Sequence, residues 1–290
     1  MKYFIVDVFC REKYAGNQLA VVIQDKPLTD ALMQNIASEF HFSETTFVNP
    51  EKNKDGSWNV RIFTPKNEVP FAGHPTLGTS WVIRNEIDKS PRKDLTLCVK
   101  AGLIPVAFDD ESSALWMKQL EPVFGTVHEG APIADFLSIN IDDIDSRFPV
   151  QEVSTGINFL LVPLKNLAAV QKASLNFQHY LNYFEDSEPL PVFLFCPETY
   201  EKENSINCRM FAEFFDIPED PATGSANGCL AAYIVKHEYF DSQKTNISVE
   251  QGYEIDRKSI LHLKANLTNG LYNIEVGGSV IKTAEGELIL

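Results

Sequence analysis

A loop and a buried helix are predicted by the stretch Asp220-Pro221-Ala222-Thr223-Gly224-Ser225-Ala226-Asn227-Gly228-Cys229, followed by Leu230-Ala231-Ala232-Tyr233-Ile234-Val235. No charged residue occurs between Asp220 and Lys236, and the predicted helix is small and apolar on every side. A helix of this kind must be surrounded by protein. Its start is polar and glycine-rich, so the unpaired N–H groups of its first turn face an open space that attracts anions. We therefore expect a carboxylate or a phosphate at this helix start.

A second stretch repeats the design earlier in the chain, Phe71-Ala72-Gly73-His74-Pro75-Thr76-Leu77-Gly78-Thr79-Ser80-Trp81-Val82-Ile83. Pro75 suits a first helical position, because it has no N–H group to leave unpaired. A similar strand precedes each stretch, Asn59-Val60-Arg61-Ile62-Phe63 in the first and Asn207-Cys208-Arg209-Met210-Phe211 in the second. The second copy carries three more residues between its strand and its glycine than the first copy does. This pattern favours an internal duplication.

The composition is that of a globular protein long enough for two domains, with 290 residues of which 44% are hydrophobic and 22% are charged. A net charge of −15 argues against nucleic acid and anionic membranes as partners, since both need clustered Lys and Arg. The start of the chain does not resemble a signal peptide, and no apolar run reaches the length of a membrane span. We therefore expect a cytoplasmic protein. Five scattered cysteines without a CxxC pair indicate neither a disulfide framework nor a zinc site.

Strands dominate the predicted secondary structure, with one buried helix in each half of the chain. Thr29 or Asp30 is expected to cap an early helix that ends near His41. The segment from Glu121 to Pro132 is predicted to cross between the halves, and further helices are predicted at 134–139, 142–147 and 175–184. The strands are predicted at 2–8, 18–23, 43–48, 58–63, 95–99, 104–108, 114–120, 159–163, 192–195, 207–211, 247–251, 260–264, 271–276 and 280–284. The sequence thus predicts an α+β fold of two rolled sheets or barrels, each with a helix as its core.

Three motifs at these places resemble the PhzF-like (phenazine biosynthesis) isomerase family. They are Ser43-Glu44-Thr45-Thr46-Phe47, Phe71-Ala72-Gly73-His74-Pro75-Thr76-Leu77-Gly78 and Asp220-Pro221-Ala222-Thr223-Gly224-Ser225-Ala226, supported by Glu250-Gln251-Gly252 and by Val276-Gly277-Gly278-Ser279-Val280. The resemblance implies the diaminopimelate epimerase-like fold with two pseudo-symmetric lobes. The lobes are expected at 1–120, completed by the C-terminal strand at about 278–290, and at 121–277. The family also implies a homodimer.

The resemblance also implies the site residues. Glu44 is the expected acid/base carboxylate, and His74, Asp220 and Ser225 are expected to act with it in one cleft. Gly73, Gly224 and Thr223 are the expected substrate-binding residues. Proton transfer at carbon needs a base held out of bulk water and donors that stabilise the charge left behind, and a partly buried Glu suits the first task.

Each of these residues also has an ordinary structural interpretation. Glu44 could be a surface residue at a strand start, and His74 could be a helix-cap histidine. Asp220 before a proline is typical of a turn, and Ser225 is typical of an N-cap. The presence of two polar helix starts in one duplicated chain favours a shared cleft over these alternatives.

The sequence departs from the patterns of these families at two places. The thiol pair of diaminopimelate epimerases is absent, because Ala72 and Thr223 flank the glycines and Cys229 lies a turn inside the helix. Racemisation of an amino acid by two thiols is therefore disfavoured. The family's Asn-Pro after the first loop is replaced by Asn17-Gln18, which concerns the shape of that loop rather than the catalytic motifs.

The favoured function is a cofactor-independent isomerase that moves a proton on a small carboxylated, cyclic or unsaturated metabolite. The alternatives are a protein of the same fold that binds a small anion or metabolite without catalysis, and an enzyme like an amino-acid epimerase or racemase that works without the thiol pair. A serine hydrolase lacks its G-x-S-x-G motif around Ser225. No metal site is predicted, since the six histidines show no HxxxH or HxH spacing, and no G-x-G-x-x-G or Walker loop is present to bind a nucleotide.

Overall fold

The computed structural model describes residues 1–290, and the chain forms two compact units. The first unit comprises Met1–Lys118 and Gly277–Leu290, and the second comprises Gln119–Val276. The first 118 residues contain β1 Lys2–Val8, β2 Asn17–Ile23, α1 Asp30–Phe40, β3 Glu44–Lys52, β4 Trp58–Phe63, β5 Glu68–Val69, α2 Gly73–Val82, β6 Asp94–Val99, β7 Gly102–Asp109 and β8 Ala114–Lys118. They are followed by β9 Val123–His128, α3 Gly130–Phe136, β10 Val150–Ser154, β11 Asn158–Pro163, α4 Leu167–Lys172, α5 Phe177–Tyr183, β12 Val192–Cys196, β13 Ile206–Phe211, α6 Gly224–Lys236, β14 Lys244–Gln251, β15 Ser259–Thr268, β16 Leu271–Gly278 and β17 Val280–Glu287.

The sheet of the first unit mixes antiparallel and parallel pairs. Strand β1 lies between β17 and β2 and is antiparallel to both. From β2 onward the pairs are β2–β3 parallel, β3–β4 antiparallel, β4–β6 parallel, β6–β7 antiparallel and β7–β8 antiparallel. The C-terminal strand therefore completes a sheet that begins with the N-terminal one.

The core of the first unit is α2, in which every residue except Trp81 is buried. This helix contacts β1, β2, β3, β6, β7, β8 and β17, so the sheet wraps around it. Gly78 allows the close approach, because a Cβ atom there would lie 2.6 Å from the side chain of Leu19 and 2.9 Å from that of Val8. The α-helical hydrogen bonding of α2 ends in a wide turn over Ile83–Ile87. The predicted all-round burial of this helix is confirmed.

Helix α1 packs on the other face of the same sheet. The Thr29 hydroxyl accepts a hydrogen bond from the N–H of Leu32 at 3.2 Å, so Thr29 rather than Asp30 is the cap. His41 ends the helix in a left-handed conformation, with φ of 56°. Its apolar side packs in a cluster that includes Met33, Ile36 and Phe47.

The second unit repeats this topology around α6. Its pairs are β9–β10 antiparallel, β10–β11 antiparallel, β11–β12 parallel, β12–β13 antiparallel, β13–β14 parallel and β14–β15 antiparallel. The central helix is buried except at Ser225 and Lys236, and it contacts β10, β11, β14 and β15. The sequence from β10 to β15 therefore has the same order of antiparallel and parallel pairs as the sequence from β1 to β7.

Several short elements differ from the prediction. The segment predicted to cross between the halves contains strand β9. Helix α4 and strand β10 are not predicted from the sequence either. Each of these three elements has only five or six residues and little periodicity. The predicted helix over 134–139 is α3, which begins and ends earlier. The predicted helix over 142–147 is only a 3₁₀ turn at Ile141–Asp143. There the Asp145 carboxylate accepts hydrogen bonds from the N–H and guanidinium of Arg147, which compete with helix formation.

Candidate active site

The first turn of α2 places one group of predicted site residues. Ala72 precedes the helix in an extended conformation and gives it no side-chain cap. Gly73 and His74 are the first two helical residues, so His74 is not a cap residue. Pro75 is the third helical residue rather than the first. Its missing N–H still breaks no helical hydrogen bond, because the first-turn N–H groups have no partner within the helix.

The imidazole of His74 is buried, with 6% of the side chain exposed. It donates a hydrogen bond to the main-chain carbonyl of Gln18, and its Nε2 atom makes no hydrogen bond. The donor must therefore be Nδ1, which leaves Nε2 as an acceptor in the neutral ring. Burial lowers the pKa of His74 to about 3, so the ring is neutral at physiological pH.

Glu44 is the carboxylate that faces this imidazole, with its Oε2 atom 3.3 Å from Nε2 of His74. Glu44 is the first residue of β3, which runs parallel to β2. In this pair of strands Glu44 lies opposite Leu19. Gln18 and Glu44 therefore lie at the same end of two neighbouring strands. A hydrogen bond of 2.8 Å between the Thr46 and Thr79 hydroxyls ties β3 to α2. The carboxyl group and the neutral ring are thus held together, and they can share one proton.

The first turn of α6 places the second group. Thr223 is the N-cap residue and Ser225 is the second helical residue, so the interpretation of Ser225 as an N-cap is wrong. The Thr223 hydroxyl donates a hydrogen bond of 2.5 Å to Oδ2 of Asp220. Asp220 is buried, and its N–H bonds to the carbonyl of Met210 at 3.0 Å. Asp220 therefore lies in the turn before the helix, as the structural interpretation expects, but the hydrogen bond from Thr223 fixes its carboxylate.

The predicted site residues fall into one group in each unit. Glu44, Gly73 and His74 lie in the first unit, and Asp220, Thr223, Gly224 and Ser225 lie in the second. The shared cleft stays a prediction. Two groups that hold these site residues in place are not predicted from the sequence. They are the carbonyl of Gln18, which bonds to His74, and the side chain of Gln251, which bonds to Thr223 and to the carbonyl of Asp220. A main-chain carbonyl leaves no sequence signal, but the polar Glu250-Gln251-Gly252 at the end of a buried strand was a signal that could have found the second.

The cysteines do not replace the missing thiol pair. Cys229 is fully buried inside α6, and burial raises its pKa to about 12. Because only the thiolate is a useful base, this side chain is inert near neutral pH. The structure shows no group of three His, Cys, Asp or Glu side chains arranged to hold a metal ion. None of its helices combines the length and the apolar character that crossing a membrane would need.

Comparison with known proteins agrees with this architecture. Residues 6–286 match the model of the phenazine biosynthesis-like protein family. Trans-2,3-dihydro-3-hydroxyanthranilate isomerase from Pseudomonas aeruginosa is 31% identical over 291 residues, which cover 100% of this chain and 99% of that protein. An uncharacterized isomerase from Mesorhizobium japonicum is 32% identical over 303 residues, which cover 99% of this chain and 98% of that protein.

Solved structures show the same fold. The PhzF family phenazine biosynthesis protein from Bacillus anthracis has a TM-score of 0.91 and 26% identity, and the match covers 100% of this chain and 99% of that one. A probable proline racemase from Agrobacterium radiobacter has a TM-score of 0.65 and 11% identity, covering 100% of this chain and 93% of that one. The predicted α+β fold of the epimerase-like class is therefore confirmed, and the protein is an isomerase acting on a small molecule. The chain belongs to the phenazine biosynthesis-like (PhzF) family.

Proposed function

We propose that this protein is a cofactor-independent isomerase that moves a proton on a small carboxylated, cyclic or unsaturated metabolite. The observation that carries the proposal is the pair formed by Glu44 and the neutral His74. Their facing atoms are 3.3 Å apart, and both side chains are largely shielded from water. A carboxyl group beside a neutral acceptor is suited to take up a proton and release it again.

The proposed reaction follows from the hydrogen bonds of this pair. The Glu44 carboxylate removes a proton from a substrate carbon, and the electron pair of the broken C–H bond enters the unsaturated system of the substrate. The protonated Glu44 then donates its hydrogen toward Nε2 of His74, whose Nδ1–H is already committed to Gln18. Glu44 finally returns the proton to another atom of the same substrate. The number of protons on enzyme and substrate is the same before and after.

The residues at the start of α6 are proposed to bind the substrate. The N–H groups at Gly224 and Ser225 lie in the first turn of a thirteen-residue helix, where a carboxylate is favoured. The Asp220 carboxylate is an acceptor and suits an amino or hydroxyl group of the substrate. The name of the Pseudomonas aeruginosa relative describes a substrate with all three groups, since it is an amino carboxylate with a ring hydroxyl. We therefore propose this compound as the first candidate substrate.

The test is Glu44→Gln, a nearly isosteric change that keeps a polar group but cannot accept and return a proton. Turnover of a candidate in heavy water is followed by NMR, which reports both isomerisation and deuterium incorporation at carbon. We expect a loss of about 10²- to 10⁴-fold in rate, with ligand affinity largely kept. Glu39→Gln makes the same change at an exposed carboxylate of the first unit and should leave the rate unchanged.

Two outcomes contradict the proposal. Equal rates for the wild type and Glu44→Gln would show that Glu44 is not the base. Tight binding of several candidates without exchange or isomerisation of any would instead support a non-catalytic binding protein.

A further inference from the structure

The side chain of Gln251 lies beneath the turn that carries Asp220. It is fully buried at the end of β14. Its Oε1 atom accepts hydrogen bonds from the N–H of Thr223 at 3.0 Å and from Nδ2 of Asn227 at 3.1 Å. Its Nε2 atom donates to the carbonyl of Asp220 at 2.9 Å and to the Thr223 hydroxyl at 2.9 Å. One amide therefore joins both ends of the Asp220–Thr223 turn to the helix.

The surroundings of Gln251 allow only one orientation of its amide. The main-chain N–H of Thr223 can only donate, and the main-chain carbonyl of Asp220 can only accept. Exchanging the oxygen and the nitrogen of the amide would place donor against donor and acceptor against acceptor. Leaving such buried groups unpaired is costly, so the observed orientation is fixed.

This fixed amide also sets the direction of the Thr223 hydroxyl. The hydroxyl has a single hydrogen, and its oxygen already receives an N–H from Gln251. The hydrogen is therefore directed to Oδ2 of Asp220, and the two oxygen atoms are 2.5 Å apart. A chain of donors runs from Gln251 through Thr223 to the carboxylate of Asp220.

The backbone beside Gln251 is built for the same close contact. Gly252 has a φ of +75°, and a Cβ atom there would lie 2.6 Å from the carbonyl oxygen of Pro221 and 2.5 Å from that of Arg257. Only glycine allows β14 to end this close to the turn. The contact between strand end and turn therefore depends on both backbone and side chain.

The first unit lacks the whole arrangement. Strand pairing places Asn59 opposite Cys98 and Asn207 opposite Glu250, so the position of Gln251 is occupied by Val99. Counting from the glycines that begin the helices, Thr223 corresponds to Ala72 and Asp220 to Val69. Three interacting polar residues in one unit are thus replaced by three apolar residues in the other.

We propose that Gln251 is a positioning residue, which through Thr223 holds the Asp220 carboxylate in place for the substrate. This inference rests on the proposed function, because it assigns Asp220 a role in substrate binding. Gln251 itself need not touch the substrate.

The kinetic test uses Gln251→Leu and Thr223→Val, which break the chain of donors at its first and second members. Both should lower kcat/KM by about 10- to 100-fold, the size expected when a binding group is misplaced. Thr223→Ser keeps the hydroxyl and should restore most of the loss. In an Asp220→Asn background, Gln251→Leu should cause little additional loss, whereas a residue that only stabilises the fold would lower the rate again.

Glu250→Gln is the matched control. Glu250 is the preceding residue, is equally buried and also makes four side-chain hydrogen bonds. It accepts all four, from the N–H groups of Tyr200 and Glu201 and from the amides of Asn204 and Asn207. These partners lie away from the Asp220 turn in sequence, so this variant reports the effect of a buried polar change alone. A loss of kcat/KM in Glu250→Gln equal to that in Gln251→Leu would overturn the inference.

Crystal structures of the variants separate this inference from the proposed function, because they need no turnover. Asp220 should leave its position in Gln251→Leu and Thr223→Val and keep it in Glu250→Gln and Thr223→Ser. An unmoved Asp220 in the first two would overturn the positioning role even if Glu44→Gln had abolished activity. Active Glu44→Gln with a displaced Asp220 would contradict the proposed function and support the positioning role. If Gln251→Leu does not fold, Thr223→Val and Thr223→Ser decide the question.

Discussion

The same ion pair precedes the central helix in both units. In the first, Nε and Nη2 of Arg61 donate to the two oxygens of Glu68 at 2.7 and 2.9 Å. In the second, the same atoms of Arg209 donate to Glu219 at 2.9 and 2.8 Å. Each guanidinium also lies over the aromatic ring two residues further along, at 5.1 Å in the first unit and 4.8 Å in the second. The duplication therefore extends from topology to individual side-chain contacts.

The polar site residues, by contrast, are not duplicated. Strand pairing aligns Thr45 with Val192, because they face Phe63 and Phe211 in the equivalent strands, so Pro191 occupies the position of Glu44. His74 corresponds to Ser225 by its place in the helix. The first unit has a carboxyl and imidazole pair, and the second has the Gln251, Thr223 and Asp220 chain. The scaffold was kept in both units, while each carries a different set of functional groups.

Removing the arginine of each ion pair tests this comparison with the largest expected effect. Arg209 and Glu219 are each 10% exposed, whereas Arg61 is 34% and Glu68 22% exposed. Arg209 also donates to the carbonyls of Val170 and Ala173. Arg209→Met should therefore lower the free energy of unfolding by about 3 to 5 kcal/mol, because it leaves a buried charge unpaired. Arg61→Met should cost about 1 kcal/mol.

Denaturant unfolding combined with hydrogen exchange of the β13 and β4 amides measures each effect in its own unit. The double variant Arg209→Met with Glu219→Leu is the control, and it should recover much of the loss because no charge is left buried. Equal costs for Arg61→Met and Arg209→Met would mean that burial does not distinguish the two pairs.

The features that could be predicted from the sequence are those set by composition and periodicity. Both central helices are apolar on all sides, and the strands with clear alternation or continuous apolar runs were found. The Gln251 contacts could not be found in this way, because they join residues 28 and 31 positions apart. The repeated ion pair was also missed, since the three additional residues of the second copy lie between Arg209 and Glu219 and hide the matching spacing.

Gly252 gives a second test, since the equivalent position of the first unit is the exposed Lys100. Gly252→Ala combines a left-handed backbone with overlap against two carbonyl oxygens, and it should cost about 2 to 4 kcal/mol of unfolding free energy. Gly270→Ala is the matched control. Its φ of +78° is similar, but nothing lies within 4 Å of the added Cβ, so only the backbone cost of about 1 to 2 kcal/mol should remain. Similar melting temperatures for the two variants would refute the close contact.

The titration of His74 gives the smallest expected effect, and it has no counterpart at Ser225. Burial holds the pKa of His74 at about 3, below its ordinary value of 6.5. As pH falls below 6.5, the unfolded chain binds a proton at this residue and the folded chain does not, so folding stability is lost until pH reaches about 3. Between pH 7 and pH 5 this amounts to about 2 kcal/mol.

The measurement is the difference in unfolding free energy between the wild type and His74→Asn at pH 7 and pH 5, since Asn can still donate to the Gln18 carbonyl. The wild type should lose about 2 kcal/mol more than the variant over this range. Repeating the comparison in a Glu44→Gln background should give a similar loss, because desolvation of the ring is the cause.

The opposite sign is expected if Glu44 and His74 instead form a charged pair. An ion pair would raise the pKa of His74, and the wild type would then gain stability relative to His74→Asn on acidification. The sign of one difference therefore decides whether His74 is neutral, which it must be to accept the hydrogen of protonated Glu44.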